Sequence, residues 1–206
     1  MLPELRFRLP GQWWQIPLHG REEARDSIKK LVSRQVGTAD DKAKLRDQLR
    51  RQLLQAVEVA IEGNGQSMQV ALDVVEEFPI PVSFTVFLPQ LQLTPSVGTE
   101  GASVISLLQR GLEAVASGRL ETAHRFTAHD SEVLRVHRQH LIRGEDGEEG
   151  LPALAADYWL SIPETKRVVL VNFSTALTGI DEVMLTFFDS IVRASYWVRS
   201  TVPLMP

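Results

Sequence analysis

The sequence predicts an α+β domain built on a largely antiparallel sheet of about six or seven strands packed by helices. Three observations lead there. Apolar residues alternate with period two in several short runs, they recur at helical spacing in four others, and the strands come in groups rather than alternating singly with helices. The 206 residues fit one domain at roughly 100–200 residues per domain, so residues 1–206 are expected to form a single unit. Apolar residues are 44% and charged residues 23% of the chain, the balance of an ordinary soluble domain that buries roughly 70% of its unfolded surface.

Leu5, Phe7 and Leu9 alternate with Arg6 and Arg8, a short strand stopped by Pro10-Gly11, and Trp13, Trp14 and Ile16 follow as a second. A helical layer is expected over about residues 20–63. Its first helix carries Ile28, Leu31, Val32 and Val36 on one face and stops at Gly37. Thr38 or Asp40 is the candidate cap of the second, whose stripe is Leu45, Leu49, Leu53, Val57, Ala60 and Ile61, with Gly63-Asn64-Gly65 as its end. Met68, Val70, Leu72 and Val74 then alternate, as do Val82, Phe84, Val86 and Leu88, and Phe78-Pro79 supplies the turn of an antiparallel hairpin.

A proline-containing loop over 89–99 leads to a third helix with Val104, Leu107, Leu108, Leu112 and Val115 on its stripe. Strands are expected at about 120–129, 132–142, 153–162 and 167–174. The tip between the second and third of these, Gly144 to Gly150, is too polar and glycine-rich to pack. Val183, Met184, Phe187, Phe188, Ile191 and Val192 form a last helical stripe with Asp181 near its start and Arg193 near its end, where the helix dipole favours them.

Phe7-Arg8-Leu9-Pro10 followed by Trp13-Trp14-Gln15-Ile16 resembles the opening of the Mog1/PsbP-like fold. The finish is similar too: Asp157-Tyr158-Trp159-Leu160-Ser161-Ile162-Pro163, then Val168 to Thr175, then Phe187-Phe188-Asp189-Ser190-Ile191. More closely, the pattern looks like a group of uncharacterised actinobacterial cytoplasmic proteins. The resemblance implies a strand hairpin leading to a last helix that lies across the sheet. It also implies a binding or accessory role, since members of the broad fold include a small-GTPase binder, photosystem extrinsic subunits, lipoproteins and chaperones of secreted toxins.

Charge and motifs narrow the function classes. The formal net charge is −4, which argues against a nucleic-acid partner. With no cysteine, disulfides, thiolate metal sites and cysteine nucleophiles are excluded. The charged start and the lack of a long uninterrupted apolar run give an expectation of a cytoplasmic protein that does not insert into membranes. Phosphate-binding, zinc-protease, nucleophile-elbow and calcium-loop motifs do not occur, so neither catalytic residues nor a cofactor is assigned. Asn172-Phe173-Ser174 fits a glycosylation sequon but falls inside an expected strand.

Two regions remain as candidate sites. Trp13 and Trp14 are adjacent, so in a strand they face opposite sides. One belongs in the core, and the other is either covered by the long helix or exposed as an anchor for a protein partner. Arg135, His137, Arg138, His140 and Arg143 make a basic ribbon, with Arg135 and His137 on one face and Arg138 and His140 on the other. Its bland reading is an edge strand blunted by charge; its functional reading is a surface for anions or an acidic partner. Four of the five histidines lie within 124–140, but their spacing does not gather them on one strand face, so a metal site is not expected. Glu145, Asp146, Glu148 and Glu149 follow the ribbon directly; the remaining 22 acids equal the 22 basic residues, so the rest of the chain is formally neutral.

These features favour a non-enzymatic cytoplasmic protein-interaction or accessory protein, of chaperone, adaptor or immunity type, with a homodimer among its possible partnerships. The alternative is a small-molecule or anion carrier with a pocket between sheet and helices lined by Arg135 or Arg138. A hydrolase without a recognisable motif is third.

Overall fold

The computed structural model describes residues 2–73, 81–91, 98–142 and 151–199. Its secondary structure runs β1 (Glu4–Arg6), β2 (Gln12–Ile16), α1 (Arg21–Val36), a single 3₁₀ turn (Asp40–Lys42) and α2 (Ala43–Glu62). It continues with β3 (Gly65–Asp73), β4 (Val82–Phe87), α3 (Gly101–Val115), β5 (His124–Ala128), β6 (Ser131–Ile142) and β7 (Leu151–Ser161). It closes with β8 (Val168–Thr175), α4 (Asp181–Arg193) and β9 (Tyr196–Val198). Seven strands form one sheet in the order β2-β3-β4-β8-β7-β6-β5, and β1 pairs with β9 in a separate ribbon. Every pairing is antiparallel, as the sequence predicts for an α+β fold.

The register assigns every side chain to one of two faces. One face presents Phe84, Val171, Phe173, Tyr158, Leu160, Val133 and Phe126, and α4 packs on it through Met184, Leu185, Phe188, Ile191 and Val192. The β1–β9 ribbon joins this layer, with Leu5, Phe7 and Trp197 packed against the same core. The opposite face carries α1 and α2 over β2 and β3, where Ile28, Leu31, Val57 and Ala60 meet Ile16, Met68 and Val70. It also carries α3, where Val104, Ile105 and Leu108 meet Leu134 of β6 and Val168 of β8.

Several local expectations change in the structure. Neither Thr38 nor Asp40 caps α2: the helix begins at Ala43 without a side-chain cap. A 3₁₀ turn, Asp40–Lys42, leads into the helix instead, and the Arg46 guanidinium donates back to the Gly37 and Ala39 carbonyls at 3.1 and 2.6 Å. Val115 leaves the α3 stripe, 85% exposed, because it lies in the last turn where the helix has run beyond the sheet. On α4, Val183 is exposed and Leu185 takes the buried place. The first strand ends at Arg6, although Phe7 and Leu9 still pack on the core. The strand β9 carries no periodic signal at three residues and forms by pairing Tyr196, Trp197 and Val198 with β1. Val74, Phe78-Pro79, Arg143 and the acids 145–149 lie outside the described residues.

Two glycines are demanded by contact. A Cβ on Gly65 would sit 2.8 Å from both the Ala60 carbonyl oxygen and Leu18 Cδ1, where α2 turns into β3. A Cβ on Gly101 would fall 2.7 Å from Ser161 Oγ, so glycine lets the α3 N-terminus approach the sheet.

Phe173 is the hub of the α4-side core, fully buried and ringed by Phe84, Tyr158 and Phe188 at 5.0, 5.5 and 4.7 Å. Phe173→Ala is expected to lower stability by about 3–5 kcal/mol, whereas Val115→Ala should stay within about 0.5 kcal/mol; urea unfolding followed by circular dichroism measures both.

Candidate functional site

The basic ribbon lies on β6, and alternation divides it as the sequence predicts. Arg135, His137 and Gln139 turn toward α4, while Arg138 and His140 turn toward the α3 side. The strand is not a sheet edge throughout: β7 pairs with its last ten residues, from Val133 opposite Leu160 to Ile142 opposite Leu151. On its other side β5 pairs only from Ser131 to Arg135.

Beneath α4 the ribbon becomes part of the fold. The Arg135 guanidinium donates to Asp189 Oδ2 at 2.8 Å, and the Tyr158 hydroxyl donates to Asp189 Oδ1 at 2.7 Å. Arg135 and Asp189 keep side-chain exposures of only 13% and 18%, so the carboxylate is held in a poorly hydrated place by one cation and one hydroxyl. Burial pushes the Tyr158 phenol far above its ordinary range, and the adjacent Asp189 charge adds to the effect. Two turns earlier on α4, Asp181 accepts from the Gln139 amide at 2.5 Å.

His137 lies between these contacts. Burial, and next the Arg135 charge, hold its imidazole below the ordinary pKa of 6.5, against the opposing pull of Glu182, Asp181 and Asp189. Its Nδ1 and the Nε of Arg135 are buried and make no hydrogen bond among the described residues.

On the other face, Arg138 donates to Asp157 Oδ2 at 2.6 Å, and the second Asp157 oxygen accepts from the Asn172 amide at 2.5 Å. Arg138 remains 58% exposed at its side chain, and His140 is exposed. Each arginine of the ribbon within the described residues therefore has a carboxylate of its own. Neither Asp157 nor Asp189 is adjacent to the ribbon in sequence, which is why spacing alone did not reveal either pair.

The tryptophans separate as adjacent strand residues must. Trp13 enters the α4-side core, its ring 5.4 Å from Phe84 and its indole N–H on the Pro10 carbonyl at 2.7 Å. Trp14 packs under α1, with its indole N–H donating to Ser27 Oγ at 2.8 Å. Of the two placements open to the second tryptophan, the structure takes the one covered by a helix.

Clefts of about 430 and 420 Å³ lie away from the ribbon arginines. The first is bordered by Gly101, Asp130, Ser161, Pro163 and Glu164, and the second by Gln109, Arg119, Leu120 and Glu121. Among the described residues no group of three or more His, Asp or Glu side chains is placed to hold a metal ion, and no helix is long and apolar enough to cross a membrane.

No family model and no curated protein matches the chain. A solved structure, the "Crystal structure of LpqN involved in cell envelope biogenesis of Mycobacterium tuberculosis", is similar over 96% of this chain and 84% of that one, with a TM-score of 0.44 and 9% identity.

Two outcomes are expected from this geometry. Asp189→Leu leaves the Arg135 charge and the Tyr158 hydroxyl without their acceptor and should cost about 3–5 kcal/mol in urea unfolding, while Tyr158→Phe, which removes one donor, should cost about 1–3 kcal/mol. Because the folded protein holds His137 below the pKa it has when unfolded, the unfolded chain binds more protons there, and stability should fall as pH drops below 6.5. His137→Gln should flatten the stability profile below pH 6.5, read as unfolding midpoints across a pH series; an unchanged slope would refute this assignment.

Proposed function

We propose that this chain is a non-enzymatic interaction or accessory protein of chaperone, adaptor or immunity type. One observation carries the reading: β6 is twelve residues long, and β5 covers only its first five. Among the described residues, the part of β6 beyond the Thr122 bonds to His137 offers strand backbone to another chain, flanked by the exposed Arg138 and His140. The ribbon arginines support it indirectly. Arg135 and Arg138 already hold carboxylates, so an incoming anion has to displace one. The order of elements, with the β7–β8 hairpin leading to a helix across the sheet, supports a Mog1/PsbP-like arrangement. A cytoplasmic setting belongs to the same proposal.

A second reading has its own observation. The unbonded Nε of Arg135 and Nδ1 of His137 beneath α4 provide polar groups for a small ligand, as a carrier needs. Native mass spectrometry of the purified protein separates the two. A bound small molecule that disappears in His137→Ala favours the carrier.

The interaction reading is tested with a photo-crosslinking residue placed at Leu141 or, as an exposed control, at Val115 in cells that express the chain. Adducts with protein are expected from position 141 and not from 115. Adducts from both positions alike, or from neither, would count against the reading.

A further inference from the structure

The sheet face opposite α4 is polar at its middle. Phe84 of β4, Val171 and Phe173 of β8, and Ala156 and Tyr158 of β7 turn toward α4. Their neighbours along each strand turn the other way, and the register sets them in two rows. One row is Thr85, Asn172 and Asp157; the next is Ser83, Ser174, Ala155 and Arg138. These rows do not belong to an edge, because β4, β8 and β7 each have a strand on both sides. On this face α1 and α2 pack over β2 and β3, and α3 packs at Leu134, Val168 and Trp159. Ala155, the one apolar member of the rows, joins neither of those clusters. The rows therefore form a floor between two helical layers.

The floor carries both fixed and free polar groups. Asp157 keeps a side-chain exposure of 20%, with one oxygen on Arg138 and the other on Asn172, so its geometry is set before any ligand arrives. Thr85 is buried, and Ser83 and Ser174 are half-buried. The hydroxyls of all three make no hydrogen bond among the described residues, and neither does the indole N–H of Trp159, on the same face two residues from Asp157.

This chemistry selects the occupant. Arg138 and Asp157 cancel, so the floor presents no net charge for an ion to match. The guanidinium donates, the carboxylate accepts, and the Asn172 amide and the three hydroxyls do both. A ligand that meets such a mixture donates and accepts at every position, as the hydroxyls of a sugar do. Serine and alanine are short, so a ring can lie close to the strands. With neighbouring strands about 4.8 Å apart, the row from Ser83 to Arg138 spans about 14 Å, the length of a short oligosaccharide.

We propose that this face binds an uncharged saccharide laid across β4, β8 and β7, its hydroxyls bonded by Asp157, Asn172, Ser83, Thr85 and Ser174. The site rests on the carrier reading and gives it a ligand class, on the face opposite His137. Amide resonances of the isotope-labelled full chain, followed during titration with maltose, cellobiose and sucrose to about 20 mM, test it. The expected result is saturable shifts at residues 83–85, 155–159 and 172–174 with at least one sugar. The affinity should change less than about twofold between about 0.05 and 0.5 M salt, because the floor is neutral. Ser83→Val combined with Ser174→Val removes two hydroxyls while favouring strand, and should weaken binding at least about tenfold with circular dichroism unchanged; Ser190→Ala on α4 should leave it unaltered. The absence of saturable shifts with all three sugars overturns the proposal, as does binding that the double variant leaves intact. Shifts with inorganic phosphate alone also overturn it and assign the face to anions. If no sugar binds while native mass spectrometry finds a ligand lost in His137→Ala, this inference fails and the carrier reading stands.

Discussion

The structure depends on the placement of β8 between β4 and β7. Leu170 to Thr175 are paired on both sides, to Val82–Phe87 and to Leu154–Trp159, and Val168 and Val169 continue the ladder with β7. This single strand joins the three strands on the β2 side of the sheet to the three on the β5 side. With both rows of backbone groups engaged, its register cannot slip without exchanging its two faces. Phe173 is thereby fixed among Phe84, Tyr158 and Phe188, and α4 has one place to lie.

The charged interior follows from that placement. Once Phe188 stacks on Phe173, Asp189 on the next position of α4 reaches Tyr158 and Arg135. A carboxylate with so little water around it persists because a guanidinium and a phenol replace its hydration. The same alternation that sends Arg135 to Asp189 sends Arg138 to the other face, where Asp157 and Asn172 receive it from β7 and β8. The two pairs tie β6 to the sheet and to α4. Beyond them β5 has ended, and the Thr122 hydroxyl closes its ladder at His137.

Much of the architecture was legible because periodicity is local. The alternation of Met68, Val70 and Leu72, or of Val82, Phe84 and Val86, reports one buried face regardless of partner. The division of the ribbon and of Trp13 from Trp14 is legible for the same reason: neighbours in a strand must point oppositely. What escaped were features that need two distant segments. The strand β9 exists only against β1, the loop before α2 is held by Arg46 bonding the Gly37 and Ala39 carbonyls rather than by a cap, and Leu185 replaces Val183 in the core because the sheet, not the helix, sets the contact line.

The amino-acid order alone determined the α+β class, the succession of the longer elements as far as α4 and the alternation of faces along each of those strands, since these follow from spacing along one chain. It also determined the charge order across residues 135–149, basic and then acidic. Only the tertiary structure decided that Arg135 and Arg138 are matched by Asp189 and Asp157, residues 54 and 19 positions away, and that β5 ends before β6 does. Ion pairs and strand edges are made by whatever the fold brings alongside, and no local pattern encodes that neighbour.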